Sequence, residues 1–165
     1  MRDFIFGSVF FLMITMSWAQ KSYHQDVVKY FELNGTEKQY SEAVDQMFEL
    51  LKRQYSTLDI PLDIWQELQG VKEESLKHIK SLLVSVYKSS FSHQDIRELI
   101  AFYELSEVQR QKGMPQFLDS AIGKKLASQG ESFKRDVAEV STLWSRDLYK
   151  ETVEKLKIKG YVMPQ

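Results

Sequence analysis

The chain has no cysteine among its 165 residues. That absence excludes disulfides, thiolate-bound zinc, iron–sulfur clusters and a cysteine nucleophile. It also excludes lipoprotein acylation, which needs a cysteine at the cleavage site. Charge of one sign is lacking as well: 22 basic and 23 acidic residues leave a formal net charge of −1. A nucleic-acid binder usually carries a strong basic bias, so this balance argues against such a partner. Proline is scarce at 3 and glycine at 7, and these are the residues that interrupt helices. No stretch has the composition of a linker or a low-complexity segment, and no internal repeat stands out. Helix–turn–helix pairs of about 34 residues would fit the length, but the tetratricopeptide pattern of aromatic, glycine and alanine positions is not matched.

The usual catalytic signatures are missing too. His24, His78 and His93 are far apart, and none belongs to a pattern that puts two imidazoles on one helix face. Each reads as a surface or capping residue. No serine lies in a nucleophile-elbow motif, and Gly123-Lys124-Lys125 lacks the upstream glycine and final hydroxyl of a phosphate-binding loop. Glu73 and Glu74 are adjacent, so on a helix they do not face each other and make a poor acid/base pair. No cofactor is indicated. A site assembled from distant residues is the one enzymatic route left open.

What is present begins with an exported-protein leader. Arg2 supplies a positive charge, residues 4–16 are apolar, and Ser17-Trp18-Ala19 fits the small-x-small cleavage rule. Residues 1–19 are therefore expected to be a signal peptide, cut before Gln20. The alternative is an uncleaved anchor, for which the run is short against a span of about 20 residues. No membrane span is expected once the leader is removed. A remainder of this size forms one domain by the length prior and buries enough surface for a core without staples.

The pattern after the leader is helical throughout. Val27, Val28, Tyr30 and Phe31 mark a short helix over 23–33, stopped by Asn34-Gly35. With Thr36 these also match a glycosylation acceptor, read as coincidence. Residues 36–54 make the clearest helix, with Tyr40, Ala43, Val44, Met47, Phe48 and Leu51 at one-face spacing. Residues 56–60 link it to a helix opened by Pro61. Gly70 is expected to break or kink that helix. Leu76, Ile79, Leu82, Leu83, Val86 and Tyr87 form the next apolar face. After Gly130 a long helix is expected, with Phe133, Val137, Val140, Trp144 and Leu148 inward. Residues 155–159 alternate like a strand but have no partner, and read as a helix end whose lysines complement the dipole. Residues 160–165 read as a tail. The fold class is all-α, a compact bundle of about six or seven helices in one domain.

Residues 92–127 are the most informative stretch. Ser92-His93-Gln94-Asp95 is a helix-start signature. Ile96, Leu99, Ile100 and Tyr103 then recur at helical spacing, and a second set, Phe117, Leu118, Ala121, Ile122 and Leu126, has the same period. Between them, Gly113-Met114-Pro115 is expected to interrupt a helix. Gly123 reads as a point of close helix approach or, alternatively, of ligand contact. Here the sequence resembles a bacterial envelope family, the domain of unknown function numbered twenty fifty-nine. The resemblance rests on Tyr87, Phe91, Ser92, Ile100-Ala101-Phe102-Tyr103-Glu104 and Ser120-Ala121-Ile122-Gly123-Lys124-Lys125-Leu126, and covers residues 65–127. Two departures stand out. Ala121 replaces the family's usual proline, and residues 105–118 look inserted. The insertion would form nearly four helical turns or a surface loop. The resemblance implies an exported helical protein, periplasmic or secreted, and supplies no activity.

Two candidate surfaces follow. Lys124, Lys125, Lys134 and Arg135 would cluster if the last two helices pack together, offering a salt-sensitive anion site; the simpler reading is a solvated face. The aromatic group Tyr87, Phe91, Phe102 and Tyr103 reads first as core, and, if exposed, as an interaction patch. With Gly123, Lys124 and Lys125 it makes up the candidate interaction surface. The leading expectation is a non-catalytic module that binds a protein partner, with residues 105–116 as its contact surface. The alternative is a binding module for a lipid or other small hydrophobe between helices.

Overall fold

The computed structural model describes residues 22–163. Helix α1 runs over 22–33 and ends at the Asn34-Gly35 turn, where Gly35 takes φ 82°. That left-handed backbone is one glycine adopts without steric cost. Helix α2 (Thr36–Gln54) follows, then a 3-10 turn (Ser56–Leu58) and α3 (Leu62–Glu67). The chain continues through α4 (Gln69–Ser90), α5 (His93–Tyr103), α6 (Glu107–Asp119) and α7 (Ala121–Ile158). The expected all-α, single-domain architecture is borne out. The leader, residues 1–19, lies outside the described residues, as do the last two of the chain. No helix among the described residues is long and apolar enough to cross a membrane.

Helices α4 and α7 form the spine of the fold, with α2 and α3 packed on α4, and α5 and α6 on α7. α7 packs along α4 in the most extensive helix pair of the fold. The two run antiparallel, because Trp144 meets Ser75 at one end and Phe133 meets Tyr87 at the other. α2 lies on α4 as well, also antiparallel, with Glu37 paired to Lys80 and Asp45 to Lys72. The core between them holds Phe31, Leu51, Leu68, Ile79, Leu83, Ile96 and Leu156, all essentially inaccessible. Each such side chain stabilises the fold by about 1.5–3 kcal/mol through removal from water. Two buried polar side chains are satisfied, Thr152 donating to the Leu148 carbonyl at 2.8 Å and the Trp144 indole N–H to Ser75 Oγ at 2.7 Å, whereas the buried Gln129 Oε1 has no partner among the described residues.

Four helix boundaries differ from expectation. Gly113-Met114-Pro115 does not interrupt α6, which runs on with Pro115 inside it. Proline there removes one backbone donor, but Gln111 is exposed, so water can take the freed carbonyl. The break falls instead at Ser120, whose extended backbone (ψ 167°) and hydroxyl cap α7. The apolar set from Phe117 to Leu126 is thereby split over two helices. The break expected at Gly70 is present but falls two residues earlier. Gly70 lies in the first turn of α4, and the bend is at buried Leu68. Gly130 does not start a helix, since α7 passes through it. One interior glycine costs about 1 kcal/mol, which the long α4–α7 contact outweighs. The inserted segment takes the helical one of its two options. At the chain's end, residues 155–159 are helical to Ile158. Gly160 (φ 92°) donates to the Lys157 carbonyl at 2.9 Å and Tyr161 to that of Leu156 at 3.0 Å, a Schellman cap.

Gly113 and Gly130 have open space where a Cβ would stand. Gly113→Ala and Gly130→Ala are each expected to raise stability by about 0.5–1 kcal/mol. Leu83→Ala is expected to lower it by about 2–5 kcal/mol. Urea denaturation followed by far-ultraviolet circular dichroism measures all three.

Candidate functional site

The α4–α5 corner begins with a capping box. Ser92 Oγ accepts from the Asp95 amide at 3.2 Å, and Asp95 accepts from the Ser92 amide at 2.7 Å. The same carboxylate takes a hydrogen bond from Lys125 of α7 at 2.5 Å. Lys125 in turn lies over the Phe91 ring, 5.6 Å from its centre. Burial by itself would raise the Asp95 carboxyl. The hydrogen bonds from Lys125 and from the backbone and side chain of Ser92 outweigh it, and the group sits below the usual carboxylate value. α1 is fastened to the same corner. Tyr23 donates to the Phe91 carbonyl at 3.1 Å, and His93 Nε2 lies 2.6 Å from Asp26. Arg97 reaches His93 Nδ1 at 3.2 Å, so the tautomer with its hydrogen on Nε2 serves both contacts.

The four candidate aromatics are brought together, mostly as core. Tyr87 and Phe91 are buried, and Phe133 stands edge-on to both at 4.8 and 5.2 Å. Tyr30 of α1 joins them, 5.8 Å from Tyr87 and 5.4 Å from Tyr103. Burial pushes Tyr30 up to about 12, and pushes Tyr87 further in the same direction with help from Tyr30 and Tyr103. These phenols stay neutral at physiological pH, which suits packing rather than proton transfer. Phe102 and Tyr103 are half-buried, because α6 covers them: Phe117 stacks on Phe102 at 4.0 Å, and Arg110 donates to the Tyr103 carbonyl at 2.9 Å. Tyr30, Phe117 and Phe133 were visible in the sequence as apolar positions, but their convergence was not.

Gly123 is a point of close approach. A Cβ there would stand 2.7 Å from the Leu118 carbonyl oxygen and 2.8 Å from its Cα. The four basic residues do not gather as the sequence allowed. The last two expected helices are one, so Lys124 and Lys134 lie ~15 Å apart along its axis. Lys125 is held by Asp95, Lys134 pairs with Glu131 at 3.2 Å, and Lys124 is exposed.

One surface was expected only in outline, over residues 105–116, and a second was missed. α6 turns Arg110, Gly113 and Phe117 inward and Val108, Pro115 and Leu118 outward. Val108 and Leu118 are 60% and 57% exposed, and neighbouring Met114 40%. Leu118 had been expected on a buried face. The outward spacing of seven and three was legible, but only the position of α6 on α5 and α7 shows which side faces water. Second, α2 and α7 lean on α4 without closing on each other. They leave an open groove of about 460 Å³ lined by Gln39, Tyr40, Ala43, Val137, Ser141, Thr142, Trp144 and Ser145. It runs into a narrower part of about 240 Å³ floored by Leu83 and Tyr87 and reached by Lys134. The sequence hid it because its serines and threonine read as a solvated helix face.

Among the described residues no three His, Asp or Glu side chains group to hold a metal ion. His24 and His78 are exposed on separate helices. Comparison with family models, curated proteins and solved structures finds no match to this chain.

Gly123→Ala is expected to destabilise by about 1–3 kcal/mol, because backbone must shift to admit the methyl group; the same urea denaturation measures it, against Gly130→Ala as control. The Asp95 interactions also set a pH dependence. A carboxyl held low in the folded state contributes stability above its unfolded value of about 3.9 and loses it as pH falls through the folded value. Lys125→Met is expected to lower stability at pH 7 and to converge with the wild type at low pH, read from thermal melts across that range.

Proposed function

We propose that the protein is a non-catalytic helical module of the bacterial envelope that binds a protein partner through the outer face of α6. The observation that carries this reading is the orientation of that helix. None of its residues is fully buried, and its apolar residues Val108, Met114 and Leu118 face outward. Exposed apolar residues arranged together on a monomer mark interaction sites. A helix presenting anchors at helical spacing suits a groove or a second helix on the partner. Residues 107–118, all of α6 but its last residue, fall within the segment inserted relative to the envelope family that this chain resembles, and an insertion that adds a surface without disturbing the core fits a recognition element. The leader pattern and the resemblance support export, with the periplasm as the first destination and release outside the cell as the second.

The alternative, a binding module for a lipid or other small hydrophobe, draws on the α2–α7 groove. The oxygen-rich lining of that groove counts against a purely apolar guest. Among the described residues no nucleophile, base and orienting group stand together at hydrogen-bonding distance to support an enzymatic reading.

A photo-reactive residue at Met114 is expected to give a discrete crosslinked band in living cells, and the same residue at Lys77, exposed on α4, none. Val108→Glu combined with Leu118→Glu should abolish the Met114 band while leaving the helical content unchanged. Equal crosslinking from both helices, or a band indifferent to the two charges, defeats the reading. Intact mass of the protein from its native envelope is expected to match a chain starting at Gln20; a full-length mass would overturn the export part.

A further inference from the structure

The groove between α2 and α7 has a lining whose hydrogen-bonding capacity can be counted. Ser141 donates its only hydroxyl hydrogen to the Val137 carbonyl at 2.6 Å. Tyr40, 2.6 Å from Ser141 Oγ, is therefore the donor in that contact. Thr142 donates to the Ala138 carbonyl at 2.8 Å and Ser145 to that of Thr142 at 3.1 Å. The Trp144 indole N–H is spent on Ser75. Every hydroxyl hydrogen lining the wider part is thus used within the protein, and what remains toward solvent there is oxygen lone pairs. Gln39 alone retains free amide hydrogens. No carboxylate, lysine or arginine lines the wider part; Lys134 lines the narrow end, where it is paired with Glu131.

This lining selects its ligand by elimination. Lone pairs repel an anion. A cation meets no lining carboxylate to offset its desolvation. A peptide would bring carbonyl oxygens that need donors, and only Gln39 has them. A lipid chain would leave the row of oxygens unpaired. A neutral polyhydroxylated ring fits on each count, since every hydroxyl is a donor that can turn to serve as acceptor where needed, and its C–H face can lie on Tyr40, Val137 and Ala43. We propose that this groove is a binding site for an uncharged saccharide chain. Its volume lies within the usual range for small-molecule sites. The run from Lys134 to Ser145 extends ~16 Å along α7, room for several linked rings. The site is separate from the outer face of α6, so partner binding and saccharide binding can each be lost without the other.

The test is a titration of the ¹⁵N-labelled protein with two neutral probes, maltotetraose and the N-acetylglucosamine tetramer, followed by amide and indole shifts. Saturable shifts centred on Gln39, Tyr40, Ser141, Thr142 and the Trp144 indole are expected with at least one probe. Thr142→Val, which keeps shape and removes an acceptor, should weaken binding roughly fivefold. Ala43→Trp fills the groove from an exposed position and should abolish it, with the rest of the spectrum unchanged. Three results overturn the proposal: no saturable shift with either probe, shifts that persist in Ala43→Trp, or tighter binding of decanoate or inorganic phosphate at the same residues.

Discussion

The packing of α7 along α4 is the contact on which the rest of the structure depends. α7 is 38 residues long and carries Phe133, Trp144, Leu148 and Leu156 toward α4 and its neighbours. A helix in a folded protein gains most of its stability from the face it buries rather than from propensity. The same contact carries α7 through Gly130, and lets one indole satisfy buried Ser75. α2 then has only the remaining side of α4 to cover, and α1 and α5 close the far end over Tyr87 and Phe91. The groove between α2 and α7 is a consequence of this order: two helices on one post meet each other only where a long side chain such as Tyr40 reaches across.

Charge has a smaller part. Most ion pairs are exposed, and each contributes at most a few tenths of a kcal/mol to about 1 kcal/mol. Lys29–Glu104, Lys80–Glu37 and Lys159–Glu67 join helices that apolar contacts already bring together. Lys125 is the exception in kind. It ties the N-terminal turn of α5 to α7 through Asp95 and lies on Phe91, so one side chain joins the capping box, the aromatic core and the longest helix. The Gly-Lys-Lys run therefore acts through two neighbours in different ways: Gly123 sets the distance between α6 and α7, and Lys125 locks α5 onto α7.

The expectations that held share a physical basis. Thr36–Gln54 was legible to the residue because a glycine turn precedes it and one apolar face runs its length. The Ser92 cap was legible because its hydrogen bonds are local. The expectations that failed were those resting on single residues with weak penalties. Gly130 and the Gly113–Pro115 run each disfavour a helix by about 1–3 kcal/mol, and neighbouring contacts and solvent exposure outweigh that. Ser120, a residue with no strong breaking tendency, marks the real boundary. It can cap α7 while Gly123 lets α6 fold back close by.

The sequence by itself determined that the chain is helical, cysteine-free, nearly neutral and built around aromatic positions, because these follow from composition and from periodicity over a few turns. It also determined most of which residues are buried, since one face of each helix carries them. The tertiary structure alone decided which helices touch. It placed Tyr87 and Phe91 inside, turned the apolar side of α6 outward, and aligned the spent hydroxyls of α7 opposite Tyr40. Those outcomes depend on crossing geometry between segments up to 101 residues apart, such as Tyr40 and Ser141, and no local pattern encodes a distance of that kind.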